Sequence, residues 1–315
     1  MSIEPAAFVS TLWSGIVIGS VLALLATGLT MIFATTRIVN FMHGAFFMLG
    51  AYLVWYLAAG HVSGTGGFVS YRFFSGFLGS SGLMVPFFVA AVVGVIVLFF
   101  LGSGYERIII RPLRQRQGWE YPVLFVTIAL AVVVESATLI SFGPRPRTYA
   151  NPVYPAGAFT PAEGVFITNA EITMFSIAIG VLVLLQLFLK RHRIGMAMRA
   201  VSQDGVMALL CGVTITTVFL LTFGLSAALA GLSGILMLSI IDPTVGLLVT
   251  WRAFIIVVLG GMGNITGTIY AAFIVGIIEA FTALLLGSAW VFPLEFGIMI
   301  AIIILRPRGL FGFRE

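Results

Sequence analysis

The chain has 315 residues, 60% of them hydrophobic and 9% charged, with a mean hydropathy of +1.16 and a formal net charge of +5. Soluble domains carry roughly 25% charged residues, so a soluble fold of this composition would leave apolar patches over most of its surface. Lipid is the solvent that suits it, and the positive balance then reads as basic loops on one membrane face and contact with anionic lipid, not as a nucleic-acid footprint.

A helix needs about 20 apolar residues to cross the hydrocarbon. The first candidate span, Leu12–Ala34, exceeds a signal-peptide core and has no basic residue before it, so it reads as a retained span. Phe41–Ala59 follows almost at once. Between them lies Arg37-Ile-Val-Asn-Phe-Met-His-Gly44, a hairpin tight enough to fall at membrane depth. Irregular backbone is tolerated there only against protein or a water-filled cavity. Two readings stand: a half-helix N-terminus at Asn40–Gly44 that offers N–H groups to a carboxylate, or a short cytoplasmic turn anchored by Arg37. After the Gly/Ser-rich connector Gly60–Met84 comes Val85–Leu101, then a basic connector, Tyr105–Glu120, with Arg107, Arg111, Arg114 and Arg116. Pro122–Phe142 carries Glu135 in mid-span.

The next connector, Gly143–Glu171, is punctuated by five prolines. Ile172–Leu189 leads into a second basic connector with Lys190, the only lysine, and Arg191, Arg193 and Arg199. Arg199, Ala200, Gln203, Asp204, Ala208 and Gly212 recur at helical spacing. A helix of this kind is too polar to span; it reads as a small-faced docking helix, or as an amphipathic helix resting on the bilayer. Thr216–Ile241 is followed by a turn, Asp242–Trp251. Ala253–Met262 has ten residues and ends in glycines, so it is either a half-helix or a span that runs on through Gly260, Gly261 and Gly263. Gly267–Leu286 carries Glu279, and Val291–Leu305 ends in Arg306-Pro-Arg-Gly-Leu-Phe-Gly312. Gly15-x-x-x-Gly19 and Gly263-x-x-x-Gly267 are spaced to bring helices close.

Basic residues accumulate on the cytoplasmic side. The two basic connectors and the terminal arginines therefore predict an N-terminus outside and a C-terminus in the cytoplasm. The expected fold is all-α: a polytopic membrane protein of eight or nine transmembrane helices, one or more broken or re-entrant, in a single domain over residues 1–315.

Several chemistries are missing from the sequence. There is no Gly-x-x-x-x-Gly-Lys phosphate loop, no His-Glu-x-x-His, and one cysteine, Cys211. The histidines, His43, His61 and His192, are far apart, which argues against a metal site. Ionisable groups in a span are costly unless paired or hydrated, so Glu135 and Glu279 are candidates for function. Each reads as a helix–helix contact, as a partner for an arginine, or as part of an ion-driven carrier. No nucleophile–base constellation supports an intramembrane enzyme.

The segments Gly28-Leu-Thr-Met-Ile-Phe, Arg37 to Tyr52, Arg199-Ala-Val-Ser-Gln-Asp204 to Gly212, Phe254 to Gly267, Gly276-Ile-Ile-Glu279 and Arg306 to Gly312 together resemble permease subunits of ABC importers for branched-chain amino acids, the LivH type. The resemblance covers nearly the whole chain, with the motifs in the family's order. It implies a permease domain with no cofactor of its own, in a bacterial inner membrane. The implied partners are a second permease subunit of LivM-like type, two cytoplasmic ATPases that bind ATP and Mg, and a periplasmic substrate-binding protein. It also implies that the loop over residues 190–214, with Arg199, Ala200, Gln203, Asp204, Ala208 and Gly212, couples to an ATPase. Arg37, Asn40, His43, Gly44, Gly260, Gly261, Gly263 and Asn264 are the candidates for the substrate path. The family's Asn-Phe-Ala-His-Gly-Glu pattern is Asn40-Phe-Met-His-Gly-Ala45 here, with Met42 for a small residue and Ala45 for the acid. Relatives of the family import urea, short amides or aromatic acids, so the departure bears on the substrate.

Overall fold

Apolar runs of this length can satisfy their backbone hydrogen bonds in lipid only within themselves, and helices result. The computed structural model describes residues 5–58, 87–146, 157–162, 165–237, 242–306 and 309–312. The Gly60–Met84 connector with His61, and the Ile241 end of one expected span, lie outside them.

The helices are α1 (Pro5–Thr36), α2 (His43–Ala58), α3 (Phe87–Arg114), α4 (Glu120–Phe142), α5 (Asn169–Arg191), α6 (Arg193–Gln203), α7 (Gly205–Leu210), α8 (Ile215–Leu236), α9 (Val245–Gly260), α10 (Ile265–Leu285) and α11 (Val291–Leu305). Among the described residues seven helical segments are long and apolar enough to cross a membrane, and α2 and α9 are shorter apolar helices. The fold is that of an all-α polytopic membrane protein; its one sheet among the described residues is a two-stranded hairpin, β1 (Ala158–Ala162) with β2 (Val165–Thr168), inside the proline-punctuated connector.

Four expectations need correction. Asp242–Trp251 is not a turn: the Asp242 carboxylate accepts from the Thr244 N–H at 2.8 Å and hydroxyl at 2.6 Å, and α9 starts one residue later. The ten-residue Ala253–Met262 is thus the second part of a helix of 16 residues, which stops at Gly260. The stretch from Arg199 to Gly212 is not one helix but belongs to two, broken at Asp204 (φ −150°). Gly263-x-x-x-Gly267 is no helix-packing face either, because Gly263 lies in the turn before α10 with φ +92°.

The chain divides into two units, and the division falls within α9, between Trp251 and Arg252. In the first unit (Met1–Thr35, Pro152–Ile215, Arg252–Glu315) α1 is largely buried and α11 largely exposed. Gly15 and Gly19 let α1 lie directly on the backbone of α10, where a Cβ on Gly15 would come 2.8 Å from Ile277 Cα and one on Gly19 2.9 Å from Phe273 Cα. The small-residue spacing does here what close helix packing in a membrane requires. Phe8 packs on Phe281 and Trp13 on Phe175, and the Ser14 hydroxyl donates to Glu171 at 3.1 Å. Glu171 also completes a capping box with Thr168 that starts α5.

In the second unit (Thr36–Asn151, Thr216–Trp251) α2 and α8 are the buried helices. Gly231 and Gly234 bring α8 against the backbone of α2 at Gly50 and Phe47, and Gly102 brings α3 against Ala227 and Phe223. Met48, Ala51, Tyr52, Val54, Ala90 and Ile235 form an apolar cluster between α2, α3 and α8.

Candidate substrate-route and coupling sites

The connection from α1 to α2 is short, and most of it is buried. Arg37 is exposed and takes a left-handed backbone, φ +58°, which a non-glycine residue adopts at a cost. Asn40 and His43 are fully buried. The Asn40 side-chain oxygen accepts from the Met42 N–H at 3.2 Å and from the Tyr105 hydroxyl at 3.2 Å. Its amide nitrogen, Nδ2, is buried without a hydrogen-bond partner among the described residues. His43 opens α2 and has its Nδ1 3.3 Å from the Ser226 hydroxyl on α8. The Gly44 N–H donates to the Thr250 hydroxyl oxygen at 2.9 Å, and that hydroxyl lies within reach of the carbonyls of Phe41 and Gly246. A Cβ at Gly44 would run into the Gly246 carbonyl oxygen, so glycine is required for α2 and α9 to meet. Phe41 sets its ring edge on Trp251 at 5.2 Å. Of the two residues that depart from the family pattern, Met42 and Ala45 are both buried, and Ala45 lies against Gly246. The segment is a packed, polar connection held by α3, α8 and α9, with Arg37 exposed at its start.

The glycine break belongs to the other unit. Gly261 and Gly263 take φ +93° and +92°. Asn264 then caps α10, its Oδ1 accepting from the Gly267 N–H at 3.0 Å, while its Nδ2 donates to the Phe311 carbonyl at 2.6 Å. The Leu310 N–H donates to the Leu259 carbonyl at 2.8 Å. Gly309, at φ +80°, sits where a Cβ would meet the Gly261 nitrogen and the Val258 carbonyl at 2.6 Å. The terminal Gly-Leu-Phe segment is therefore seated on the α9–α10 turn, which gives the sequence motif a structural purpose. Gly260 and Gly267 allow the two helix ends to touch.

The α6–α7 elbow follows the basic end of α5. Asp204 ends α6 and caps α7, its Oδ1 accepting from the Val206 N–H at 2.9 Å and the Met207 N–H at 3.0 Å. On α7 Ala208 is buried while Val206, Met207, Leu209 and Leu210 are exposed. Gly212 closes the elbow at φ +82°. Gly195 lets α6 fold back on the backbone of α5 at Leu189, and the Arg199 guanidinium reaches the Lys190 carbonyl at 3.4 Å. Ala200 and Gln203 lie on α6 with Arg199. Asp204 and Gly212 thus serve as cap and turn, and the outward surface of α7 is apolar.

Of the two glutamates singled out, Glu279 pairs with Arg252 on α9, 3.1 Å away, and Glu135 lies at the first turn of α9, beside the Leu247 backbone. Sequence reasoning missed Arg252, Glu295 and Glu106. Arg252 falls between the Asp242–Trp251 turn and the Ala253–Met262 run that the sequence suggests, and Glu295 lies near the start of α11. Glu106 sits in a π-helical turn, Glu106–Ile110, with both carboxylate oxygens buried and without a hydrogen-bond partner among the described residues; Arg111 and Arg114 are the nearby cations. The signal was the acid's position directly after an apolar run. No group of three or more metal-ligating side chains occurs among the described residues.

The family described as the branched-chain amino acid transport system / permease component matches residues 11–305. The chain is similar to the high-affinity branched-chain amino acid transport system permease protein BraD of Pseudomonas aeruginosa, 30% identical over 98% of this chain and 97% of that one. It is 27% identical to LivH of Escherichia coli K12, over 98% and 96% of the two chains. A probable LivH of Methanocaldococcus jannaschii is 27% identical over 94% and 90%. No solved structure matches. With a match from its first span to the end of α11 and similarity over almost its full length, this chain is a multi-pass membrane protein of the branched-chain amino acid transport permease family.

Proposed function

We propose that this chain is one permease half of an ATP-driven importer for branched-chain or other small amino acids, and that it performs no chemistry itself. The observation that carries the reading is the elbow at Asp204. A capped helix of six residues presents Val206, Met207, Leu209 and Leu210 outward at the end of a basic connector. A surface like that is suited to insertion into a cleft on a partner, and an ATPase subunit is the partner this function requires. In this reading nucleotide closure on the ATPases pushes α6 and α7, and the spans attached to them move. Asn40, His43 and Gly44, with the Arg37 connection, line the route for the amino acid; the Gly260–Asn264 break supplies the second reversal. The names of the similar proteins support the substrate class.

Asp204→Arg tests the reading. It removes the α7 cap and adds a bulky cation at the elbow, so uptake is expected to fall to background while membrane insertion, read by fractionation and reporter fusions, stays normal. Retained uptake would remove the elbow from the coupling path. The full chain reconstituted alone in liposomes is expected neither to hydrolyse ATP nor to move amino acids. Mass spectrometry of proteins and small molecules retained by the detergent-solubilised chain identifies the ATPases and the ligand directly.

A further inference from the structure

Three charged side chains from three helices of the first unit converge at Arg252. On α9 its Nη2 is 3.1 Å from Glu279 Oε1 of α10, and its Nε is 3.7 Å from Glu295 Oε2 of α11. The Phe292 ring closes another side, 4.8 Å from the guanidinium carbon. Glu295 is only 2% exposed. The cluster holds two acids and one base.

Among the described residues of the helices packed around the cluster, no other cation makes up the difference. The helix α1, which packs on α10, has no ionisable residue between Pro5 and Thr36. The ionisable residues of α5 lie at its ends, with Glu171 engaged by Thr168 and Ser14. With both carboxyls ionised the cluster would keep one excess negative charge in a largely buried site. An uncompensated buried ion costs several kcal/mol, and two carboxylates that share a site do not both stay ionised. The hydrogen bonding shows the same shortfall from another direction. Glu279 Oε2 and both oxygens of Glu295 are buried acceptors with no hydrogen-bond partner among the described residues. The one unpartnered donor beside these three acceptors is Arg252 Nε, 3.7 Å from Glu295 Oε2. One added O–H donor addresses both deficits, since a protonated carboxyl is neutral and adds a donor where unpartnered acceptors outnumber donors.

We propose that Arg252, Glu279 and Glu295 form a binding site for a single proton, held between the two carboxyl groups and residing on Glu295. Glu279 stays ionised because it has the short contact with the guanidinium. The charge-balanced cluster ties α9, α10 and α11 together, and loss of its proton restores the excess charge and loosens them. The site is independent of the transport reading above.

The test is infrared difference spectroscopy on the full-length protein in detergent at neutral pH, in sodium- and potassium-free buffer. The wild type minus E295Q spectrum is expected to contain one protonated-carboxyl C=O band that shifts in D2O. E279Q is expected to remove the same band, because Glu295 is then the only acid left to balance Arg252. Should one variant fail to fold, the other decides the point. The wild-type melting temperature is expected to fall as pH rises past loss of the proton, with E295Q flat over that range. Absence of the band from both difference spectra would overturn the proposal. So would a melting temperature that rises with sodium or potassium in the wild type and not in E295Q, which would make the ligand a metal cation.

Discussion

The α1–α2 connection and the α9–α10 turn are built from the same residue types: an asparagine, glycines at helix ends and apolar neighbours. They use them differently. At the α9–α10 turn the Asn264 oxygen caps α10 and its nitrogen holds the Phe311 carbonyl, so both ends of the amide are taken. At the α1–α2 connection the Asn40 oxygen takes two donors while its nitrogen has no acceptor among the described residues. Buried polar groups are nearly always hydrogen-bonded, so an unused buried donor calls for a reason. A closed set of bonds is what a joint requires; an open buried donor is what a ligand's acceptor would engage. This makes Asn40 the better route candidate of the two.

The largest effects test what the two regions share. Gly44→Ala drives a methyl group into the Gly246 carbonyl, and Gly267→Ala does the same against the Gly260 carbonyl. Backbone must move in both cases, and overpacking of this kind costs about 3 kcal/mol. Both variants are expected to give a strongly lowered melting temperature and poor recovery from detergent. A benign Gly44→Ala would mean that α2 and α9 are not in fixed contact there.

The next effect separates them. Asn→Asp is isosteric and replaces the nitrogen donor with an oxygen. At Asn264 it retains the cap and sets an acid against the Phe311 carbonyl, which unseats the terminal segment at about 1–3 kcal/mol. Uptake by Asn264→Asp is expected to track the folded fraction. At Asn40 the same change leaves both accepted bonds in place and alters the free donor. Asn40→Asp is expected to lower uptake per folded molecule at least about tenfold, equivalent to about 1.4 kcal/mol of lost binding or passage. Equal behaviour of the two variants, normalised to folded protein, would erase the distinction.

The helices were legible in the sequence because lipid imposes one requirement on length and apolarity, and all nine expected spans have a helix over most of their described residues. The failure at α9 has a local cause. Asp-Pro-Thr-Val-Gly reads as turn chemistry, and only the Asp242 side chain bonding to Thr244 shows that the turn is over by residue 244. The elbow was visible as a polar stretch, but its break was not: Asp204 at helical spacing looks the same whether it lies within a helix or caps the next one. Side-chain function was least legible. Nothing in the string distinguishes Asn40 from Asn264, because the difference lies in Phe311 and Tyr105, which are 47 and 65 residues away. Arg252 and Glu295 were invisible for the same reason, since their meaning lies in each other and in Glu279.

The smallest effect tests the rule outside the two regions that suggested it. Glu135 is ionisable and mid-span, which by composition alone makes it a better candidate than Asn40. Its carboxylate, however, lies at the N-terminal turn of α9 beside the Leu247 backbone. A helix N-terminus attracts negative charge by about 0.3–1 kcal/mol and offers free N–H groups to an acceptor. Glu135→Gln keeps an acceptor oxygen and gives up only the charge. It is expected to cost under about 1 kcal/mol in a melting experiment and to leave the uptake rate unchanged. The ion-gradient alternative requires the opposite, because a carrier that moves a proton through Glu135 stops when the acid becomes an amide. A normal rate in this variant would place Glu135 with Asn264 among the joints, and a silent transporter would show that a satisfied hydrogen bond is no guide to function in this fold.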